Sequence, residues 1–395
     1  MNRVKIINGK IITPYRIIDG GTVAFEDGKI IHAGQADFEM DGCIIIDAKR
    51  NYVSPGFVDL HTHGGGGHDF MDGTCEAFLG AAEMHARHGT TSILPTTLTS
   101  TNEELKMTFD VFREARSKNN KGAQFLGLHL EGPYFAMSQR GAQDPRYIRN
   151  PQRKEYEEIL GWSDDIIRWS IAPELEGAID FGRALKNRNI LPAIAHTDAN
   201  YEQVLEAFEN GYTHVTHLYS GMSGVHRKNA YRYAGVIESA FLIDDMTVEM
   251  IADGCHLPPC LLKLIYKIKG PSRIALITDS LRGAGMPEGE SISGSIKNGQ
   301  KIIVEDGVAK LLDRSAFAGS VATTDRLVRT VVKQAEIPLT DAIKMMTITP
   351  AEIIGADRER GSLAEGKCAD IVIFDEDINV KMTVVNGNII YREAL

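Results

Sequence analysis

From residue 53 to residue 278 the chain alternates short apolar, β-branched runs with longer segments whose apolar positions recur every three or four residues. The short runs cover 53–60, 91–96, 124–130, 167–172, 190–195, 213–217, 247–252 and 273–278, and each reads as a strand. Between them, 76–88, 102–117, 178–187, 201–210 and 259–269 have helical spacing. Gly89 stands where a C-terminal glycine cap would, and Asn102 precedes Glu103 and Glu104 as an N-cap would. Eight strands alternating with helices predict an α/β fold, a (β/α)8 TIM-like barrel.

The ends of the chain follow a different pattern. Residues 4–46 read as short alternating strands with turns at Asn8-Gly9 and Asp27-Gly28, and the C-terminal stretch repeats the idiom around Asn386-Gly387. Residues 292–312 carry similar chemistry around Asp306-Gly307. The two ends, 1–54 and 357–395, are therefore expected to meet in one small β-sandwich domain beside a barrel domain spanning 55–356.

Composition narrows the function. The 395 residues are 43% hydrophobic, enough for one large core and a smaller one. No stretch approaches the roughly 20 consecutive apolar residues of a membrane span, and the N-terminus has no apolar signal region. A net charge of −10 argues against a nucleic-acid binder, which needs a basic stripe, but leaves room for a small anionic ligand. Cys43, Cys75, Cys255, Cys260 and Cys368 are odd in number and scattered, which suits the reducing cytoplasm.

The candidate chemistry sits at the strand ends. His61 and His63 are two apart at the end of the first strand, so they share a face. Glu131 ends the third strand, His196 the fifth, His217 the sixth and Asp279 the eighth. Barrels of this kind place their active groups at the C-terminal ends of the strands. Imidazoles and carboxylates converging there suit a divalent metal, zinc or iron first and manganese third. Each residue taken singly has a plainer reading, such as a turn at Glu131 or a cap at Asp279. Their shared register against eight strands is what points to a metal.

These residues resemble the amidohydrolase superfamily and, within it, the N-acetylglucosamine-6-phosphate deacetylases. The resemblance rests on "PGFVDLHTHGGGG", "GLHLEGPY", "AHTDA", "THLYSGM", "IADGCH", "LITDS", "FAGS" and "GSLAEGKCADIVIFD". It implies a metal-dependent hydrolase that converts N-acetylglucosamine 6-phosphate to glucosamine 6-phosphate and acetate in amino-sugar catabolism. Glu131, His196 and His217 would hold one metal, His61 and His63 leave room for a second, and Asp279 would be the general base. His129 is expected either to polarise the substrate carbonyl or to orient Glu131. The glycines Gly64–Gly67 would let backbone approach the metals or the sugar.

By the same resemblance Ala142, Gln143, Ser220, Gly221, His256, Phe317, Ala318 and Gly319 would line the sugar, and Arg227 or Arg232 would hold its phosphate. A homodimer is implied, in which a neighbouring subunit can supply phosphate contacts. The chain departs from the family at Ser220-Gly221, where Asn-Ala is common, at Gln143, where some members have histidine, and in the loop "HRKNAYRYAG". These departures leave open another N-acyl amino sugar, such as N-acetylgalactosamine 6-phosphate. Wider alternatives are a cyclic amidase or deaminase of the superfamily, or a non-catalytic metal-binding relative. Of the remaining residues, His85 and His88 are read as partners of a helix dipole, Cys255 and Cys260 as buried, and His68 and Asp69 as weak candidates for supporting the metal ligands.

Overall fold

The computed structural model describes residues 3–35 and 38–393. Eight parallel strands, each followed by a helix, form the centre. They are β1 (Phe57–Thr62), β2 (Thr90–Thr97), β3 (Leu128–Glu131), β4 (Ile166–Ile171), β5 (Leu191–Ile194), β6 (His214–Val215), β7 (Thr247–Ile251) and β8 (Ile274–Ile277). The helices are α1 (Cys75–Arg87), α2 (Asn102–Lys118), α3 (Arg153–Leu160), α4 (Ala178–Lys186), α5 (Tyr201–Glu209), α6 (Val236–Leu242), α7 (Pro259–Lys269) and α8 (Thr324–Lys333). The strands pair in sequence order from β1 to β8. The ring closes where Asp279 N–H donates to the His61 carbonyl at 2.8 Å and where Thr62 bridges Ser280. Buried Asp59 adds to this seam by accepting from the Thr278 hydroxyl at 2.6 Å. Phe78, Phe112, Trp169 and Phe181 belong to the large apolar core that includes the inward faces of the helices.

The sequence pattern ran the first strand from 53 to 60, but the structure divides it. Tyr52–Pro55 pairs with Ile371–Phe374 in a separate sheet, and the barrel strand begins at Phe57. Gly56 is the pivot between them, because a Cβ there would lie 2.2 Å from the Thr91 hydroxyl oxygen. The separate sheet has eight strands drawn from both chain ends, with Arg3–Ile12 central. It wraps a core of its own that includes Val4, Ile6, Phe25, Val53, Ile371 and Val384, the small sandwich beside the barrel.

Asn8-Gly9 is not the turn its sequence suggested. The strand Arg3–Ile12 runs through it with register shifts on either side of Gly9. A Cβ on Gly9 would meet Val53 Cγ2 at 2.5 Å, so this dipeptide serves close packing. Asp27-Gly28, Asp306-Gly307 and Asn386-Gly387 are true hairpin turns, with both residues at positive φ in each pair. The 306–307 turn belongs to a four-stranded antiparallel sheet (289–320) inserted between β8 and α8. Its last strand, Phe317–Ser320, is anchored by Ser320 N–H to the Asp279 carbonyl at 2.9 Å.

The Gly56 pivot gives a stability prediction. Gly56→Ala forces overpacking against Thr91 and is expected to cost about 1–3 kcal/mol, read as a lower urea midpoint; an unchanged midpoint would remove Gly56 as the steric reason for the break.

Candidate active site

His61 lies on β1 and Glu131 is the last residue of β3, whereas His196, His217 and Asp279 each sit two residues beyond a strand end. Those three have φ of +45°, +29° and +47°. Non-glycine residues seldom adopt this left-handed region, at a cost of order 1–3 kcal/mol each. The turns bring the ligating side chains together: His61, His63 and Asp279 form one group, and Glu131, His196 and His217 another, with the ligating atoms of each group within 4.8 Å of one another.

Hydrogen bonds fix how three of the rings present themselves. Nδ1 of His196 donates to the Gln139 carbonyl at 2.8 Å, Nδ1 of His217 donates to the Ser220 carbonyl at 3.1 Å, and Nδ1 of His61 contacts the Glu249 carboxylate at 3.1 Å. A carbonyl or carboxylate only accepts, so in the neutral rings Nε2 carries the lone pair. Yet the Nε2 atoms of His61, His196 and His217 lie 3.5, 3.4 and 3.0 Å from one oxygen of Glu131. Lone pair facing carboxylate is repulsive unless a cation lies between them.

Protons could supply that charge, but the rings crowd, with centroids 5.6 Å apart for His61 and His217 and 4.9 Å for His196 and His217. A divalent ion would supply it without setting imidazolium beside imidazolium. The nitrogen and oxygen donors of both groups fit such an ion.

The electrostatics ask for the same thing. Burial would lower His61, but Glu131, Asp279 and Glu249 together raise it to about 10. His63 is likewise raised to about 9 against burial, by Asp279 and Glu131. Burial would raise Glu131, yet His61, His196 and His217 hold it well below the usual carboxylate range. Asp279 is lowered against burial by His61 and His63.

Above these groups opens a cavity of about 240 Å³ whose floor includes His63, Glu131, His196, His217 and Asp279. Its walls include Ala142, Gln143, Ser220 and Gly221 on one stretch, and His256, Phe317, Ala318 and Gly319 on another. Gln143 Nε2 donates to Glu131 at 2.8 Å, so it steadies a metal-facing carboxylate as well as forming wall. A Cβ on Gly221 would sit 2.8 Å from His196 Nδ1, and its φ is +57°, which accounts for glycine there. His256 is held by Asp253 through Nδ1 at 2.8 Å. Leu98, Gly141, Ser293 and Ala316 also line the cavity and carried no sequence signal.

Arg227 and Arg232 are elsewhere. They face each other across an exposed hairpin, His226–Lys228 with Tyr231–Tyr233, and neither lines the cavity.

Other expectations are corrected. None of Gly64–Gly67 lines the cavity. Gly64 and Gly65 pair with His68 and Asp69 in a tight two-stranded turn, where a Cβ on Gly64 would meet the His68 carbonyl at 2.1 Å and one on Gly65 the Met84 methyl at 2.0 Å. His129 neither faces the cavity nor touches Glu131. Its ring spans Thr96 at 3.1 Å and Ser170 at 2.7 Å, and burial with nearby Arg168 holds it well below its ordinary range. His85 points inward to Thr62 and to the Gly64 carbonyl, both at 3.0 Å, instead of serving the helix end, while His88 pairs with Asp325 at 3.2 Å. Cys260 is exposed and Cys255 half-buried. Asp69 caps a short helical turn through Met71 N–H and accepts from Gly294 N–H.

Arg168 and Glu249, fully buried and ion-paired below the candidate metal groups, carry no sequence signal. A charge inside a strand has no local motif to mark it.

Comparison with known proteins follows the same lines. The profile of the Amidohydrolase family matches residues 52–390. An N-acetylglucosamine-6-phosphate deacetylase of Vibrio furnissii is 33% identical over 343 residues, 87% of this chain and 84% of that protein. An N-acetylgalactosamine-6-phosphate deacetylase of Escherichia coli O157:H7 is 30% identical over 381 residues, 96% of this chain and 97% of that one. A solved structure of an N-acetyl-D-glucosamine-6-phosphate deacetylase mutant from Mycobacterium smegmatis, in complex with N-acetyl-D-glucosamine-6-phosphate, superposes with a TM-score of 0.90 at 28% identity, covering 99% of this chain and 100% of that one.

A cation that binds only the folded protein stabilises it, by about 4 kcal/mol at a thousandfold excess over Kd. Zinc added to chelator-stripped protein is therefore expected to raise its melting temperature by several degrees, and Glu131→Gln to abolish most of that rise; an equal rise in the variant would remove Glu131 from the metal groups.

Proposed function

The chain belongs to the amidohydrolase family, and from that premise we propose that it is a metal-dependent deacetylase converting N-acetylglucosamine 6-phosphate to glucosamine 6-phosphate and acetate. The observation that carries this reading is the facing of Asp279 and the Glu131–His196–His217 group across one cavity floor. Named relatives and the superposed substrate complex support the substrate class.

Glu131, His196 and His217 would hold a divalent ion, which would supply Lewis acidity to polarise an amide carbonyl and acidify a water. Glu131, steadied by Gln143, and the two histidines with committed Nδ1 protons keep their donor atoms aimed without rearrangement. Asp279 Oδ1, 3.2 Å from His63 Nε2 and 3.4 Å from His61 Nε2, takes the proton of the attacking water. The water oxygen bonds the acyl carbon, the carbon–nitrogen bond breaks, and Asp279 returns the proton to the departing amine. Phe317–Gly319 covers the sugar, and His256, fixed by Asp253, contacts its polar substituents.

The phosphate needs cations that this cavity does not itself contain. The exposed hairpin presents Arg227 beside Arg232, and in a homodimer the partner's hairpin supplies the phosphate grip, since guanidinium holds phosphate oxygens in bidentate fashion. Among the described residues all five cysteines are unpaired, and no helix is long and apolar enough to cross a membrane; together they support a place in the cytoplasm. A second reading, the same reaction on N-acetylgalactosamine 6-phosphate, is favoured by the relative of that name.

Acetate release from both phosphorylated sugars and their unphosphorylated forms tests the assignment. Turnover of N-acetylglucosamine 6-phosphate well above the others is expected, and indifference to phosphate would sink both sugar readings. Asp279→Asn should retain the ion of the Glu131–His196–His217 group while kcat falls by about 10²–10⁴. Arg227→Ala and Arg232→Ala should raise KM for the phosphorylated sugar and leave kcat near wild type; if KM is unmoved in both, the hairpin does not bind phosphate.

A further inference from the structure

One carboxylate below the cavity touches both metal groups. Glu249 lies on β7 and is fully buried. Its Oε2 lies 3.1 Å from His61 Nδ1 and accepts the backbone N–H of His217 at 3.0 Å. Oε1 pairs with Arg168, also fully buried. Arg168 in turn donates to the Thr216 hydroxyl at 2.6 Å, which meets Ser170 at 2.9 Å.

We propose that Glu249 is a positioning residue that commits His61 to metal binding through Nε2, and so sets the affinity of the His61–His63–Asp279 group for its ion. This inference rests on the metal-dependent reading above. An ionised carboxylate offers no proton, so the His61 ring must place its Nδ1 proton on Glu249 and leave the Nε2 lone pair toward Asp279 and Glu131, 3.4 and 3.5 Å away. His196 and His217 have their Nδ1 protons fixed by backbone carbonyls, which no side-chain substitution removes. His61 alone of these three depends on a side chain for its tautomer. Arg168 is what keeps Glu249 ionised in the barrel's interior, since a lone buried charge would shed itself by protonation. The ion pair therefore serves the second metal group and has no contact with the cavity.

Removing Glu249 alone would strand Arg168, so the test removes the pair. Arg168→Met/Glu249→Leu takes away both charges and the acceptor, whereas Arg168→Met/Glu249→Gln keeps an oxygen for His61 Nδ1. Stripped proteins are titrated with zinc, and the stoichiometry and the affinity of each ion are measured. In wild type two ions are expected. In the Leu variant one ion, that of the His61–His63–Asp279 group, should bind about 10–100-fold less tightly, the Gln variant should recover most of that loss, and the other ion should change far less. General loosening of the barrel would weaken both ions alike in both variants and overturn the proposal, as would two unaltered affinities.

Wild type carrying a single ion would instead contradict the two-ion reading of the site. Because the Leu variant could fail to fold, the wild-type zinc protein labelled with ¹⁵N-histidine gives a second reading. His61 should show a protonated Nδ1 and a coordinated Nε2. The reverse assignment would overturn the proposal without any variant.

Discussion

The site depends on four imidazoles converging on one carboxylate. Nε2 of His61, His63, His196 and His217 all approach Glu131 within 3.5 Å, and all five residues are buried. Such a cluster holds together only around positive charge, and the backbone carbonyls that claim the outer nitrogens of two rings decide where that charge goes. The barrel provides the convergence. Parallel strands end at one face, so residues far apart in sequence reach the same few ångströms of space.

The layers beneath follow from that demand. Metal-facing residues need partners behind them, and the barrel's interior supplies these as buried polar side chains instead of a purely apolar filling. Asp59 links β1 to β8 at the seam, His85 from α1 grips the loop after β1, and Arg168 with Glu249 spans the floor. Each is hydrogen-bonded to at least one group on another element. A buried ion pair is weak evidence for stability, because desolvation consumes much of its attraction; its use here is to hold ligands in one orientation.

Much of this was legible in the chain. Strands and helices of the barrel were visible because apolar periodicity changes sharply between them, and α7 runs from Pro259 to Lys269 as its pattern indicated. The convergence of His61, His63, Glu131, His196, His217 and Asp279 was readable because they fall in register at or just past strand ends. Asn8-Gly9 misled, since a bulge and a turn use the same dipeptide and only Val53, far along the chain, decides between them. Gly64–Gly67 misled similarly: the constraint on Gly64–Gly66 comes from Met84 on α1 and from the next turn of chain, not from the cavity. His129 reads as sharing a face with Glu131, but Thr96 and Ser170, which claim its ring, come from neighbouring strands. Glu249 and Arg168 are invisible locally because each makes sense only opposite the other.

The left-handed backbone at His196, His217 and Asp279 has a consequence for how such a protein ages as a lineage. Three residues of the candidate metal groups are held in conformations that glycine or asparagine would occupy with less strain. Selection for activity therefore pulls against selection for a robust fold at these three points. A descendant freed from the reaction would be expected to drift there first, towards a calmer and inert barrel of the same shape. The ligand turns are thus where loss of function in a descendant sequence would show earliest, while the surrounding strands still looked intact.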